Sequence, residues 1–196
     1  MPGCADVFEV KEEIMTGKPS APGASTLWIV LLTGASMGCT ALFHCMMPFA
    51  ALAALAAVHM RRGDGVALMF AAWVVNQATG FLLLDYPRDP TTIMWGLGIG
   101  AAAVAAVVAG GAAAAKVGSY PLRLVAAFVT GFVAYKAVLV LCSLGLGGTD
   151  ISLSPSIAGT QIVREAMIGL LLLAAYRVLV ALGVPAAPAP RHALAI

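Results

Sequence analysis

An all-α, polytopic membrane protein is the fold that this sequence predicts, and three observations carry it. Hydrophobic residues make up 61% of the 196 positions and charged residues only 10%, where a soluble domain carries about 25% charge. Mean hydropathy is +0.97. Residues 19–60, the 42 positions between Lys18 and Arg61, hold no Asp, Glu, Lys or Arg. As one helix that run would reach roughly 60 Å, about twice the hydrocarbon thickness of a bilayer. It must therefore turn back. Pro48 supplies the place, because it has no backbone N–H to donate and suits the first turn of a new helix. The whole chain suffices for about six spanning helices of about 20 residues each.

The elements follow in order. Residues 1–24 include Asp6, Glu9, Glu12 and Glu13. An acidic, polar start is unlike a signal peptide, which needs a basic start and an apolar stretch, so a cytoplasmic tail is expected. Residues 25–182 form the transmembrane domain. The first helix runs from about Thr26 to Phe43, with Ser25 or Thr26 as its cap, and contains Gly34-x-x-x-Gly38. The second, from Pro48 to Met60, is short, with Ala50, Ala53, Ala54 and Ala57 as a smooth face. Arg61–Gly65 reads as a tight polar turn. The third helix covers Val66–Leu84 and holds Asn76 and Gln77. Asp89 before Pro90 signals the start of the fourth, which reaches Ala115 and carries Gly96-x-x-x-Gly100. The fifth covers Pro121–Leu144 and holds Lys136. Gly145–Ser154 is the longest loop, and Ser154-Pro155 starts the sixth helix, which reaches Leu182. The Pro/Ala-rich tail, 183–196, is expected to be disordered. Small residues spaced by four let helices approach closely.

Orientation follows from positive charge in short loops. With the N-terminus in the cytoplasm, the inner segments hold Lys11, Lys18, Arg61, Arg62, Lys116, Arg123 and Arg191, and the outer loops hold Arg88 alone. Six helices with both termini cytoplasmic satisfy the rule. Asn76, Gln77, Lys136, Gln161, Arg164 and Glu165 then all fall in the outer leaflet. Intramembrane charges normally face a water-filled cavity or a partner. Two arrangements stay open and are compatible: a structural pair of Lys136 with Glu165, and an outward-facing polar cavity. Lys136 and Arg164 suit a carboxylate or phosphate on a solute.

The reversal itself, Phe43-His44-Cys45-Met46-Met47-Pro48, carries an imidazole, a thiol and two thioethers. His44 and Cys45 are candidate ligands for cobalt, zinc or copper, with packing as the other reading, since buried Cys and Met are most often apolar fill. The four cysteines lie far apart and form no disulfide framework. No His-x-x-x-His pair, phosphate loop, nucleophile elbow or haem motif is present, and the chain is expected not to be an enzyme. A net charge of +2 without a basic stripe points to no nucleic acid.

The segment Pro48-Phe-Ala-Ala-Leu-Ala-Ala-Leu-Ala-Ala, its short basic turn, and Trp73-Val-Val-Asn-Gln-Ala-Thr-Gly-Phe81 resemble helices 2 and 3 of the substrate-binding S components of energy-coupling-factor transporters. The resemblance spans roughly 26–182. It implies six helices, cytoplasmic termini and a solute cavity opening outward, with a vitamin or a metal complex as cargo. It further implies docking on a membrane partner through small-residue stripes. Those would be Gly34-x-x-x-Gly38 and Ala53-x-x-x-Ala57 here, and a homo-oligomer could use the same faces. For cobalamin-binding members the resemblance implies a cysteine thiolate on cobalt, for which Cys45 beside His44 is the candidate. The expectation is therefore an uptake protein of the inner (plasma) membrane. It binds a small solute through His44, Cys45, Asn76, Gln77, Lys136, Arg164 and Glu165. Two rivals are an accessory structural subunit of a larger membrane complex and a small membrane enzyme or metal-handling protein built on Cys45.

Overall fold

A computed structural model describes residues 23–43 and 47–188, and among them the chain is entirely helical and loop. The helices are α1 (Ala24–Phe43), α2 (Phe49–His59), α3 (Arg62–Leu83), α4 (Pro90–Ala114), α5 (Tyr120–Leu146), the single turn α6 (Thr149–Ser152) and α7 (Pro155–Ala181). Their starts use the chemistry the sequence offers. Asp89 accepts the Thr92 N–H at 3.0 Å and the Thr92 hydroxyl at 2.7 Å to begin α4. Proline occupies the first turn of α4, α5 and α7, where its missing N–H costs nothing. α5 stops at Gly147 and Gly148, both at φ near +85°, a conformation that disfavours any residue with a Cβ. The polar segment expected as a turn after α2 is mostly the first turn of α3, which begins at Arg62 rather than Val66. Gly65 is already packed there, 3.2 Å from Val107 in any substituted form.

α2 is the centre of the bundle. Every residue from Phe49 to Val58 is buried, and α3, α4, α5 and α7 all pack on it. A helix apolar on all sides belongs in a core, and alanine lets four neighbours come close. At 11 residues it is only about 16 Å long.

Glycines set how the neighbours meet. A Cβ on Gly110 would lie 2.8 Å from the Ala127 carbonyl oxygen, and one on Gly131 would lie 3.2 Å from that of Ala106. α4 and α5 therefore touch backbone to backbone over Ala106, Gly110, Ala127 and Gly131. Gly96-x-x-x-Gly100 works differently from the close helix approach its spacing suggests. Its surface receives side chains of α3: the Gln77 amide rests on Gly96, and the Trp73 indole rests on Gly100 and donates to the Gly96 carbonyl at 2.8 Å. Gly34 and Gly38 face open space.

The exposed faces are apolar. On α5 the buried side is Ala127, Gly131, Tyr135 and Leu139, whereas Leu122, Val125, Val129, Val133, Leu141 and Leu144 point outward. A soluble helix would carry polar groups there; an apolar outside of this extent marks a surface made for lipid. α3, α4 and α5 are each long and apolar enough to cross a membrane, so the chain is a membrane protein. α7 has the same 27-residue length as α5 but carries Arg164, Glu165 and Arg177.

α1 is tied to α3 by the Ser25 hydroxyl, which donates to Asp64 at 2.8 Å, and to α7 by Trp28 against Tyr176, with ring centroids 4.5 Å apart. Of the tail beyond α7, residues 183–188 are described. Trp28 Nε1 donates to the Pro185 carbonyl at 2.7 Å, and Ala187 is buried in the core.

Candidate functional site

The first half of α7 gathers polar groups on a mostly apolar helix. Ser156, Thr160, Gln161 and Arg164 recur at spacings of four, one and three, which puts them on one side of a 3.6-residue helix. With Ile157, Glu165 and Ile168 they line a groove of about 300 Å³. Among the described residues that lining comes from α7 alone. The groove lies at the end of the bundle where α2 begins.

Glu165 is the hinge between groove and core. It is 4% exposed. Its Oε2 accepts the backbone N–H of Ala50 at 2.7 Å and of Ala51 at 3.3 Å, and its Oε1 accepts from Gln161 Nε2 at 3.1 Å. This completes the donor accounting at the start of α2, where the first N–H groups of any helix lack intrahelical partners. Pro48 has none to satisfy. Phe49 N–H donates to the Met47 carbonyl at 2.9 Å, and Leu52 N–H donates to Pro48 at 3.0 Å. Ala50 and Ala51 are the two left over, and Glu165 takes both. The carboxyl group also meets the positive end of the α2 dipole, so its direct partners are backbone N–H groups and Gln161 rather than a cation.

Lys136 contributes a field, not a contact. It is half-buried on α5 and acts on Glu165 electrostatically, but no direct salt bridge joins them among the described residues. Tyr135, fully buried beside it, stacks on Phe49 with centroids 5.8 Å apart and also bears on Glu165. Of the residues the sequence nominates, Arg164 and Glu165 come together in the groove, with Lys136 behind them. Asn76 and Gln77 do not line it; both are half-buried on α3, and Gln77 is committed to Gly96 of α4. His44 and Cys45 lie outside the described residues. Among the described residues no three His, Cys, Asp or Glu side chains converge as a metal site would require.

Sequence reasoning passed over Ser156 and Thr160, although their four-residue spacing from each other and onward to Arg164 was open to view. It also passed over the opposite end of the bundle. There His59 Nδ1–H donates to the Leu55 carbonyl at 3.0 Å, which leaves Nε2 to accept the Tyr120 hydroxyl at 3.0 Å. Tyr176 packs on the imidazole at 4.6 Å, and the Arg177 guanidinium lies 4.9 Å over the Tyr120 ring.

Comparison with protein-family models, with curated proteins and with solved structures finds no match for this chain.

Proposed function

We propose that this chain is a solute-uptake protein of the plasma (inner) membrane, with six membrane helices and both termini in the cytoplasm. Its solute sits in the groove on the outer half of α7. The observation that carries this reading is the groove itself: about 300 Å³, at the lower end of the range for small-molecule sites, built from polar side chains clustered in the first half of α7. Thr160, Gln161 and Arg164 are the contacting groups. Arg164 offers paired donors to a carboxylate or phosphate, and Lys136 adds positive field from behind. Glu165 holds the wall in place, because its oxygens are already engaged by α2 and Gln161. The S-component resemblance supports the same arrangement, with an outward solute site on a six-helix frame. The volume favours a small acidic solute; cobalamin or a transition metal as cargo would rest on Cys45 and His44.

One observation favours a second reading, an accessory subunit that carries nothing. The Glu165–Ala50 tie explains one buried charge by architecture alone. Native mass spectrometry of the protein as purified decides between them. A retained small molecule that disappears in Arg164→Gln, with the variant still folded, supports uptake. Wild-type protein that carries no small molecule, and whose Arg164→Gln variant supports growth on every tested carboxylate as wild type does, overturns it.

A further inference from the structure

α5 and α7 border a second groove, floored by α2, that is independent of the polar one. It holds about 230 Å³ and is walled by Leu124, Val125 and Phe128 of α5 and by Ala166, Gly169 and Leu173 of α7, with Ala51 and Ala54 beneath. Among the described residues no ionisable group lines it. It exists because both α2 and α7 place small residues here: a Cβ on Gly169 would already meet Ala51 at 3.3 Å.

Lining and charge select the occupant. The groove is open toward the lipid-facing side and lined by carbon, which suits a hydrocarbon chain that enters from the bilayer. One end is basic. Arg177 lies one turn beyond Leu173 on the same side of α7, is exposed, and reaches across to the Tyr120 ring at the start of α5. Arg123, one position before Leu124, acts with Arg177 on His59 at this end of α2. An apolar slot in a lipid-facing wall, with guanidinium groups at one mouth, has the chemistry of a bound lipid.

We propose that this groove holds one acyl chain of an anionic phospholipid, its phosphate placed at Arg177. The lipid completes the wall that α5 and α7 leave open over α2.

The test uses full-length protein in nanodiscs of equal phosphatidylglycerol and phosphatidylcholine, extracted gently and weighed by native mass spectrometry. The expected result is one retained lipid per chain, with phosphatidylglycerol favoured. Arg177→Gln, an exposed change, should cut that preference by about fivefold, while Arg177→Lys keeps most of it. Val125→Trp, at a 57% exposed position, should fill the groove and remove lipid of both kinds. Thermal unfolding confirms that each variant is folded. Inorganic phosphate at millimolar concentration should not displace the lipid. Equal retention of the two lipids by wild type, displacement by phosphate alone, unchanged retention in Val125→Trp, or a dimer that buries this face would each overturn the proposal.

Discussion

Glu165 Oε2 lies 2.7 Å from the backbone nitrogen of Ala50, across 115 positions of sequence. A side chain of α7 thus caps the 11-residue α2 from outside. The cap is internal to the protein and withdrawn from water, so its loss leaves two donors stranded. Glu165→Ala is expected to destabilise the fold by about 1.5–3 kcal/mol, the range for hydrogen bonds to a charged group. Glu165→Gln, which keeps one acceptor oxygen, should cost less. Thermal unfolding in detergent measures both, and an alanine variant as stable as wild type would show that the cap is dispensable.

The α4–α5 contact makes a paired prediction. Gly110→Ala forces a methyl to within 2.8 Å of the Ala127 carbonyl, backbone that cannot swing aside. A loss of about 1–3 kcal/mol is expected, as for other overpacked sites. Gly111→Ala, whose Cβ would meet nothing within 4 Å, should be neutral or slightly stabilising. Equal melting temperatures for the two variants would contradict the close approach of α4 and α5.

Lys136 acts at a distance, and its substitution should show that. Lys136→Met is expected to leave the protein folded and to weaken an anionic solute by about three- to tenfold, a field effect of the size expected at a high effective dielectric. Arg164→Gln should weaken it more. If the two rank in the other order by isothermal titration, Lys136 is a contact residue.

The start of α4 carries a pH dependence with a defined sign. The backbone N–H of Thr92, then its hydroxyl, hold the exposed Asp89 carboxylate below its ordinary value of 3.8. A depressed folded-state value means that the cap stabilises above the unfolded value and is lost as pH falls through the lower, folded one. The protection of the Thr91–Ile93 amides, measured as exchange relative to the intrinsic rate at each pH, should therefore fall on acidification below about pH 4. Asp89→Asn, which still caps, should remove that pH step.

Topology is checked by reporter fusions. One after Arg88 should read external, and one after Gly118 cytoplasmic. A cytoplasmic signal at Arg88 would reverse the orientation or change the helix count.

Local chemistry made much of this legible. Pro48 and Arg61 bracket α2, Asp89-Pro90 and Ser154-Pro155 mark helix starts, and their observed boundaries differ by a few residues at most. Arg164 and Glu165 announce a polar half on α7 because charge is scarce elsewhere. What the sequence hides is partnership at long range. Nothing near Ala50 says that its N–H waits for residue 165. Gly96-x-x-x-Gly100 and Ala106-x-x-x-Gly110 look alike, yet one cradles Trp73 and Gln77 while the other meets backbone; the difference lies in what faces them. Asn76 and Gln77 look as suited to a solute as Arg164, but the rotation of α3 turns Gln77 to α4. The His44–Cys45 corner lies beyond the described residues, so its ligand chemistry still rests on the sequence.

The burial of α2 has a consequence for how the chain is made. An 11-residue helix is too short to be held in a bilayer as a span by itself, and the N–H groups of Ala50 and Ala51 find their acceptor in α7. Synthesis runs from the N-terminus, so α2 leaves the ribosome more than 100 residues before Glu165 does. Until then it has neither its cap nor its fourth wall. Assembly of this core must therefore wait for α7, which locks α2 through Glu165. A chain stopped at Ser154 is expected to insert yet leave α2 unsettled. Its alanines should be open to protease in a pulse-digestion assay that the full chain resists.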